Sequence, residues 1–204
     1  GIEYTATNFY QNLMGTSPLN MPMELVKILF DQTANYFPKA KIGYAFTEPL
    51  IYPDLIESLL YAKTKNLYTS ITTNALTLKQ KAKAICESGL NDIFVSLDGP
   101  EEIHNQIRGH KSSFQKAIEG IEELLKHSPR PNISIFCVIT EWNIGHLKEF
   151  ADYFKKFPLK QLGFMHTNFT PDFIVSNHNK IYGDKYPATI SNTEQIEISK
   201  MNLK

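Results

Sequence analysis

Polar side chains follow several predicted strands, and their types suit the binding of a small polar ligand. Glu48 follows the first predicted strand, Ser96 and Asp98 end the third, and Arg108, one of only two arginines, comes soon after. A carboxylate can accept from an amine, and an arginine can hold a carboxylate through two parallel hydrogen bonds. A hydroxyl or carboxylate can bond ribose hydroxyls. These residues favour a ligand that carries an ammonium group, a carboxylate and a ribose.

Three more polar residues belong to the same pattern. Asn74 ends the second predicted strand, Asn143 follows the fourth, and His166 ends the fifth. Both asparagines are also common turn or capping residues. His166 shares a strand face with Leu162 and Phe164, which predicts that it points into the fold.

Five short strands, alternating with helices, must position these residues. A helix precedes the first strand, and another follows each of the first four. Such alternation predicts a parallel sheet built from right-handed crossovers, whose strand ends share one edge. Periodicity leaves open whether the sheet is doubly wound or an arc of a β/α barrel. The predicted strands are 41–46, 67–73, 92–97, 133–139 and 161–166.

Composition excludes some classes of partner. The chain has 21 basic and 21 acidic residues in 204, so it lacks the net positive charge that would attract nucleic acids or anionic membranes. No apolar run is long enough to span a membrane. Two cysteines do not make a disulfide framework, which favours a reducing, cytoplasmic setting. The chain starts at Gly1 rather than Met, so we expect a fragment.

The ordered motifs resemble the radical S-adenosylmethionine (radical SAM) superfamily, and the similarity covers roughly residues 21–166. It is closest to members that often carry a C-terminal auxiliary-cluster (SPASM-type) extension. The motifs are Thr47-Glu48-Pro49-Leu50, Thr72-Thr73-Asn74, Ser96-Leu97-Asp98-Gly99-Pro100-Glu101 with His104 and Arg108-Gly109, Ser113-Phe114-x-x-Ala117-x-x-Gly120-Ile121, and Val138-Ile139-Thr140-x-x-Asn143.

The resemblance implies a partial β/α barrel with parallel strands, together with SAM and a 4Fe–4S cluster held by three thiolates. In this family, one electron cleaves SAM to methionine and a 5′-deoxyadenosyl radical, which abstracts a substrate hydrogen. Glu48 takes the place of the acidic residue that contacts the SAM ammonium group. The further cofactor-binding residues implied are Asn74, Ser96, Asp98, Arg108 and Asn143. No catalytic residue and no metal ligand of this chain is assigned.

Two departures from the family pattern stand out. Phe46-Thr47-Glu48 replaces a Gly-Gly-Glu turn, and Cys-x-x-x-Cys-x-x-Cys is absent. Cys86 and Cys137 lie too far apart, on the wrong elements, to replace that motif. We count five strands where the family has six. The expectation is a chain that begins just after the cluster loop, lacks the first strand, holds no cluster and is inactive alone.

We expect three regions: an irregular segment 1–20, the barrel 21–166, and an irregular extension 167–204 with a helix from Glu194 to Met201. The resemblance implies a peptide or small-molecule substrate and an electron donor such as flavodoxin or ferredoxin, while the balanced charge predicts no nucleic-acid or membrane partner. Two alternatives remain open. One is a cluster-free barrel that binds SAM or a nucleotide, and the other is an unrelated barrel hydrolase or aldolase that uses Glu48, Asp98 and His166.

Overall fold

The computed structural model describes residues 20–45, 47–166, 172–185 and 187–188. The strands are β1 Lys41–Tyr44, β2 Tyr68–Thr73, β3 Asp92–Ser96, β4 Asn132–Ile139 and β5 Gln161–His166. The α-helices are α1 Met23–Tyr36, α2 Leu55–Thr64, α3 Leu78–Ser88, α4 Glu101–Arg108, α5 Ser113–Leu125, α6 Leu147–Phe154 and α7 Asp172–Tyr182. Short 3-10 helices cover Pro49–Ile51 and Ile144–His146.

The five strands form one sheet in the order β1-β2-β3-β4-β5. The first four pair in parallel, and the register places Tyr44, Ile71, Ile93 and Ile133 side by side. A doubly wound sheet reverses its strand order at a switch point, whereas this order never reverses. The sheet is therefore an arc of a β/α barrel, as the motifs predicted.

One face of the sheet is covered by helices and forms the main core. Alternate residues of the three central strands are buried there, because strand side chains alternate between the faces. Leu78 and Ile85 of α3, together with Ile121 and Leu124 of α5, pack in the same core with no exposed surface. The strand residues in this core are Ile71, Ile93, Val95, Ile133, Ile135 and Cys137.

The opposite face, here called the inner face, carries smaller and more polar residues. It includes Ser70 and Thr72 of β2, Phe94 and Ser96 of β3, and Phe136 of β4, all half-buried. The rings of Phe94 and Phe136 stack in parallel, with centroids 5.0 Å apart and an angle of 5° between planes. The inner face thus combines hydroxyl groups with one flat apolar wall.

A polar network ties four strand starts together at the N-terminal edge of the sheet. The Asp92 carboxylate accepts hydrogen bonds from Tyr68 Oη at 2.6 Å, Asn132 Nδ2 at 2.9 Å and Lys160 Nζ at 2.9 Å. Burial raises the pKa of Asp92, but these hydrogen bonds outweigh burial and leave the pKa below its usual range. The network is well separated along each strand from the polar residues of the C-terminal edge.

Two helices were not expected from the sequence. Residues 101–108 form α4, so Arg108 lies in the last turn of a helix rather than in a loop. Because α4 fully buries only His104, it lacks the apolar stripe by which helices are recognised. Asp172–Tyr182 forms α7 inside the extension predicted to be irregular. Phe46 and the predicted helix from Glu194 to Met201 lie outside the described residues.

The chain divides into two compact units, Gly1–Met165 and His166–Lys204. The first unit holds the sheet up to Met165 and helices α1 to α6, and the described part of the second begins with His166 and holds α7. None of the helices in the described ranges has the length and apolar character needed to cross a bilayer.

Candidate functional site

Glu48 joins the loop after β1 to the end of β2. Its Oε1 accepts hydrogen bonds from Leu50 N at 3.0 Å and from Thr73 Oγ1 at 2.6 Å, and its Oε2 accepts from Asn74 N at 2.8 Å. It also caps the 3-10 helix Pro49–Ile51. An ionised carboxylate offers about four acceptor positions. Glu48 is half-buried and therefore keeps capacity for one further donor.

The turn after β2 is tightly held around Asn74. Asn74 Oδ1 accepts from Leu76 N at 3.0 Å, and Thr73 Oγ1 accepts from Ala75 N at 2.9 Å. Ala75 has a positive φ of 61°, a conformation that residues with a Cβ adopt at some cost. The side-chain NH2 of Asn74 has no partner among the described residues, which leaves two donors at this edge.

Asp98 is buried, and both of its carboxylate oxygens have partners inside the protein. Its Oδ1 accepts from the backbone N–H of Val138 at 3.0 Å, and its Oδ2 pairs with Arg108 Nη2 at 2.7 Å. The residue is 3% exposed. Asp98 therefore links the end of β3 to β4 and to the last turn of α4.

The Asn143 side chain is also hydrogen-bonded within the protein and is not free to bind a ligand. It is 0% exposed. Its Oδ1 accepts from Thr140 N at 2.7 Å, while its Nδ2 donates to Asp98 O at 2.8 Å and to Val138 O at 2.7 Å. Both amide hydrogens are used, so the side chain fixes the loop between β4 and α6.

Arg108 and Ser96 keep unused hydrogen-bonding groups at the C-terminal edge. Within the described residues, Asp98 is the only partner of the Arg108 guanidinium, whose side chain is 35% exposed. A guanidinium carries five N–H donors, so several remain. The Ser96 hydroxyl lies half-buried on the inner face and has no partner in the described ranges.

His104 belongs to the same cluster although it was not among the predicted site residues. It is 1% exposed, and its Nδ1 accepts the backbone N–H of Asp98 at 3.0 Å. Burial, and then the nearby Arg108 charge, lower the pKa of His104 to about 3. Its spacing of four residues before Arg108 was the available signal, because residues four apart share a helix face.

The two cysteines do not suit an iron–sulfur cluster, which needs thiolates. Cys86 and Cys137 are both buried, and burial raises the pKa of the Cys137 thiol to about 12, with the Asp98 charge adding to the effect. A three-thiolate set also needs more cysteines than the two in this sequence. The described residues contain no group of three or more His, Cys, Asp or Glu arranged to hold a metal ion.

His166 ends β5 and is the first residue of the second compact unit. Within β5 it shares a face with Phe164, whose ring contacts Phe150 of α6 at 6.4 Å between centroids. Phe164 thus lies on the helix-covered face, while the direction of the His166 side chain stays a prediction.

Comparison with known proteins identifies a family match over most of the chain. The profile of the radical SAM superfamily matches residues 9–154. The chain is 28% identical over 141 residues to the Fe-coproporphyrin III synthase of Methanosarcina barkeri, and 30% identical over 153 residues to a GTP 3',8-cyclase of Helicobacter pylori. These matches cover 69% and 74% of this chain but only 35% and 46% of the relatives.

Solved structures share the fold. The structure of anSMEcpe with bound AdoMet superposes with a TM-score of 0.62 at 22% identity, covering 86% of this chain and 55% of that chain. Streptococcus suis SuiB bound to S-adenosylmethionine superposes with a TM-score of 0.65 at 15% identity, covering 78% of this chain and 37% of that chain. The chain thus spans less than two thirds of the length of each of these proteins.

Proposed function

Because this chain belongs to the radical SAM superfamily, we propose that it forms the SAM-binding core of a radical SAM enzyme. Members of this superfamily use SAM and a 4Fe–4S cluster. The observation that carries the proposal is a set of unused polar groups at one sheet edge. They are the remaining acceptor of Glu48, the remaining donors of Arg108 and the hydroxyl of Ser96.

Glu48 accepts a hydrogen bond from the SAM ammonium group. Its carboxylate is oriented by Thr73 and by the backbone of Asn74, so it does not have to be ordered when the ligand binds. An ionised acceptor and a cationic donor form a charge-assisted hydrogen bond, which is stronger than a neutral one. The half-buried position of Glu48 limits screening by water.

Arg108 binds the SAM carboxylate. The Asp98 carboxylate contacts Nη2 and so restrains the guanidinium at that nitrogen, while the other donors stay available. A planar guanidinium can hold a carboxylate through two parallel hydrogen bonds. The salt bridge to Asp98 therefore orients Arg108 for its ligand.

Ser96 and Asn74 bond the ribose hydroxyls. Both have an unpaired polar group at the C-terminal edge, where Ser96 ends β3 and Asn74 directly follows the neighbouring strand β2. Asp98 and Asn143, which the resemblance also implied as SAM-binding residues, act indirectly, because their side chains are already engaged within the protein. They hold the site through Arg108 and through the loop after β4.

When bound, SAM and a 4Fe–4S cluster would supply radical chemistry for hydrogen abstraction. The residues of this chain provide a shielded surface beside the SAM site. Phe136 lies opposite Ser96 in the register of β3 and β4, and it stacks on Phe94. Their rings form an apolar wall that excludes water from the inner face. The two cysteines of this chain do not fit the cluster, so no step through it is derived.

Substrate and partners follow from the family at a coarser level. Streptococcus suis SuiB has been solved bound to its precursor peptide SuiA. For this protein we propose a peptide or small-molecule substrate and an electron donor such as flavodoxin or ferredoxin, in the cytoplasm. The buried, unpaired thiols are compatible with that reducing setting.

Isothermal calorimetry of this chain with SAM tests the binding proposal. We expect measurable binding that weakens about tenfold in Arg108→Ala, which corresponds to roughly 1.4 kcal/mol. The matched control is Arg130→Ala, because Arg130 lies before β4 at the other end of the sheet and donates to His127 O. Absence of binding to the wild-type chain, or an equal loss in both variants, would contradict the proposed site.

The radical reaction is tested separately on the product of the complete gene. After anaerobic iron–sulfur reconstitution and reduction, we expect a coloured protein that converts SAM to 5′-deoxyadenosine. If the protein stays colourless and forms no 5′-deoxyadenosine, the proposed radical reaction is contradicted. SAM binding is then judged separately by calorimetry.

A further inference from the structure

His104 of α4 does not contact SAM in the proposed site. It is the one fully buried residue of that helix. Its ring packs edge-on against Phe114 of α5, with centroids 6.0 Å apart. An ordinary apolar side chain would fill this space, and yet the chain places an imidazole there.

The imidazole and the Arg108 guanidinium engage the same residue from the same helix. His104 and Arg108 are four positions apart and so share a helix face. His104 Nδ1 accepts the backbone N–H of Asp98 at 3.0 Å, and Arg108 Nη2 pairs with the Asp98 carboxylate at 2.7 Å. Helix α4 thus binds both the backbone and the side chain of Asp98.

The buried ring leaves its other nitrogen unsatisfied. His104 Nε2 has no hydrogen-bond partner among the described residues. A buried polar atom without a partner costs free energy, so its presence calls for a compensating role. The compensating role is the hydrogen bond that His104 Nδ1 accepts from the Asp98 backbone N–H. Because burial and the Arg108 charge lower the pKa of His104 to about 3, Nδ1 keeps its lone pair at neutral pH.

The segment held by His104 needs a defined backbone direction. Gly99 directly follows Asp98 and has a φ of 136°, where a Cβ would approach Ile103 Cγ2 at 3.2 Å. Asn143 Nδ2 binds the Asp98 carbonyl on its other side at 2.8 Å. The peptide groups on both sides of Asp98 are therefore fixed, one by His104 and one by Asn143.

We propose that His104 is a positioning residue that acts through Asp98 on Arg108, and so sets the guanidinium for the carboxylate of SAM. This inference rests on the proposed function for its ligand, but the hydrogen bond to Asp98 can be tested without any ligand. His104 itself touches neither SAM nor substrate.

The first measurement is amide hydrogen exchange at Asp98 in three variants, each compared with the wild-type chain. His104→Leu keeps apolar volume but removes the acceptor, and we expect exchange of the Asp98 amide to accelerate at least tenfold. His104→Asn retains an acceptor oxygen near the place of Nδ1 and should restore most of the protection. Gln106→Ala, on an exposed position of the same helix, is the matched control and should leave the Asp98 amide unchanged.

The second measurement is calorimetry with SAM and with decarboxylated SAM. His104→Leu should weaken SAM binding about tenfold, His104→Asn should recover it to within threefold, and binding of decarboxylated SAM should change little. In an Arg108→Ala background, His104→Leu should cause no further loss, because the two residues act on one interaction. A merely structural role would weaken both ligands and would add to the loss in Arg108→Ala.

Each outcome decides the inference. An Asp98 amide that stays protected in His104→Leu overturns it, and so do losses that add in the double variant. If the wild-type chain does not bind SAM, the proposed function fails, while the exchange measurement still determines whether His104 positions Asp98. If His104→Leu fails to fold, the comparison of wild type, His104→Asn and Gln106→Ala decides: the inference is overturned unless His104→Asn keeps both amide protection and SAM affinity.

Discussion

At the scale of single residues, the polar groups of the C-terminal edge divide into two kinds. Glu48, Asn74, Ser96 and Arg108 keep unused donors or acceptors, whereas the Asn143 side chain is fully buried with both amide hydrogens bonded. The sequence could indicate that all of them belong to this edge, because strand ends meet there. It could not separate the two kinds, since hydrogen-bond partners from distant strands determine which groups stay free.

Substitution of Asn143 by Ala should destabilise the chain strongly. The change leaves Thr140 N, Asp98 O and Val138 O without their partner, and unsatisfied buried groups cost about 2–4 kcal/mol together. Urea unfolding followed by circular dichroism measures the difference. Ile144→Ala is the control, because Ile144 is 64% exposed and should stay within about 0.5 kcal/mol. Equal stability of the two variants would show that Asn143 does not hold this edge.

At the scale of elements, the fold depends on how closely helices α3 and α5 approach. Gly120 of α5 lies against Leu78 of α3, where an added Cβ would meet Leu78 Cβ at 2.7 Å. The apolar stripe of α5 was readable from the sequence, since its buried residues follow helical spacing. The need for glycine at this one position was not, because it depends on the crossing of two helices.

Substitution of Gly120 by Ala tests that close contact. Alanine normally stabilises a helix interior relative to glycine by roughly 0.5–1 kcal/mol. Here the contact with the Leu78 Cβ should reverse the sign and cost about 1–3 kcal/mol, because backbone and side chains must shift. Gly145→Ala is the matched control, since nothing lies within 4 Å of the position that an added Cβ would take there. A Gly120→Ala chain with a raised thermal midpoint would contradict the predicted overlap.

At the scale of the whole molecule, the sheet is held at both edges by polar networks of different purpose. The C-terminal edge keeps unused donors and acceptors, which the proposed function assigns to SAM. At the N-terminal edge, the Asp92 carboxylate instead receives Tyr68, Asn132 and Lys160, which come from the starts of β2 and β4 and the residue before β5. Asp92 is 4% exposed, so this network holds the strand starts together rather than binding a ligand.

The stability that Asp92 contributes should depend on pH. Its pKa is lower in the folded chain than in the unfolded chain, where an aspartate titrates near about 3.9. The contribution is therefore complete above that value and is lost as the pH falls through the folded pKa. At pH 7 we expect Asp92→Asn to lower the free energy of unfolding by about 1–3 kcal/mol, because hydrogen bonds to a charged acceptor are replaced by weaker ones.

Denaturant unfolding of wild type and Asp92→Asn between pH 7 and pH 2 measures this dependence. The difference between the two curves should shrink below about pH 4, as the wild-type carboxylate becomes protonated. Glu87→Gln is a control, because Glu87 is largely exposed and its ion pair with Lys83 is 3.9 Å long. A difference that stays constant over this pH range would exclude Asp92 as the source.

The sequence by itself determined the order of the elements and the edge at which polar residues gather. Alternation of strands and helices requires a parallel sheet, and strand ends such as Ser96 and Asn74 must then share one edge, because all strands point the same way. The bounds of β5 and of α5 agree closely with the expected segments, since both carry clear apolar periodicity.

Only the tertiary structure decided the strand order and the role of each polar residue. Periodicity does not record which strands are neighbours, so the choice of a barrel arc needed the pairing of β1 to β4. It does not record hydrogen bonds between distant segments either. The sequence does not show that Asp98 has partners. In the fold, Val138 of β4 and Arg108 of α4 bind its carboxylate, and His104 of α4 binds its backbone N–H. Long-range contacts, rather than local pattern, determine which groups keep unused donors and acceptors.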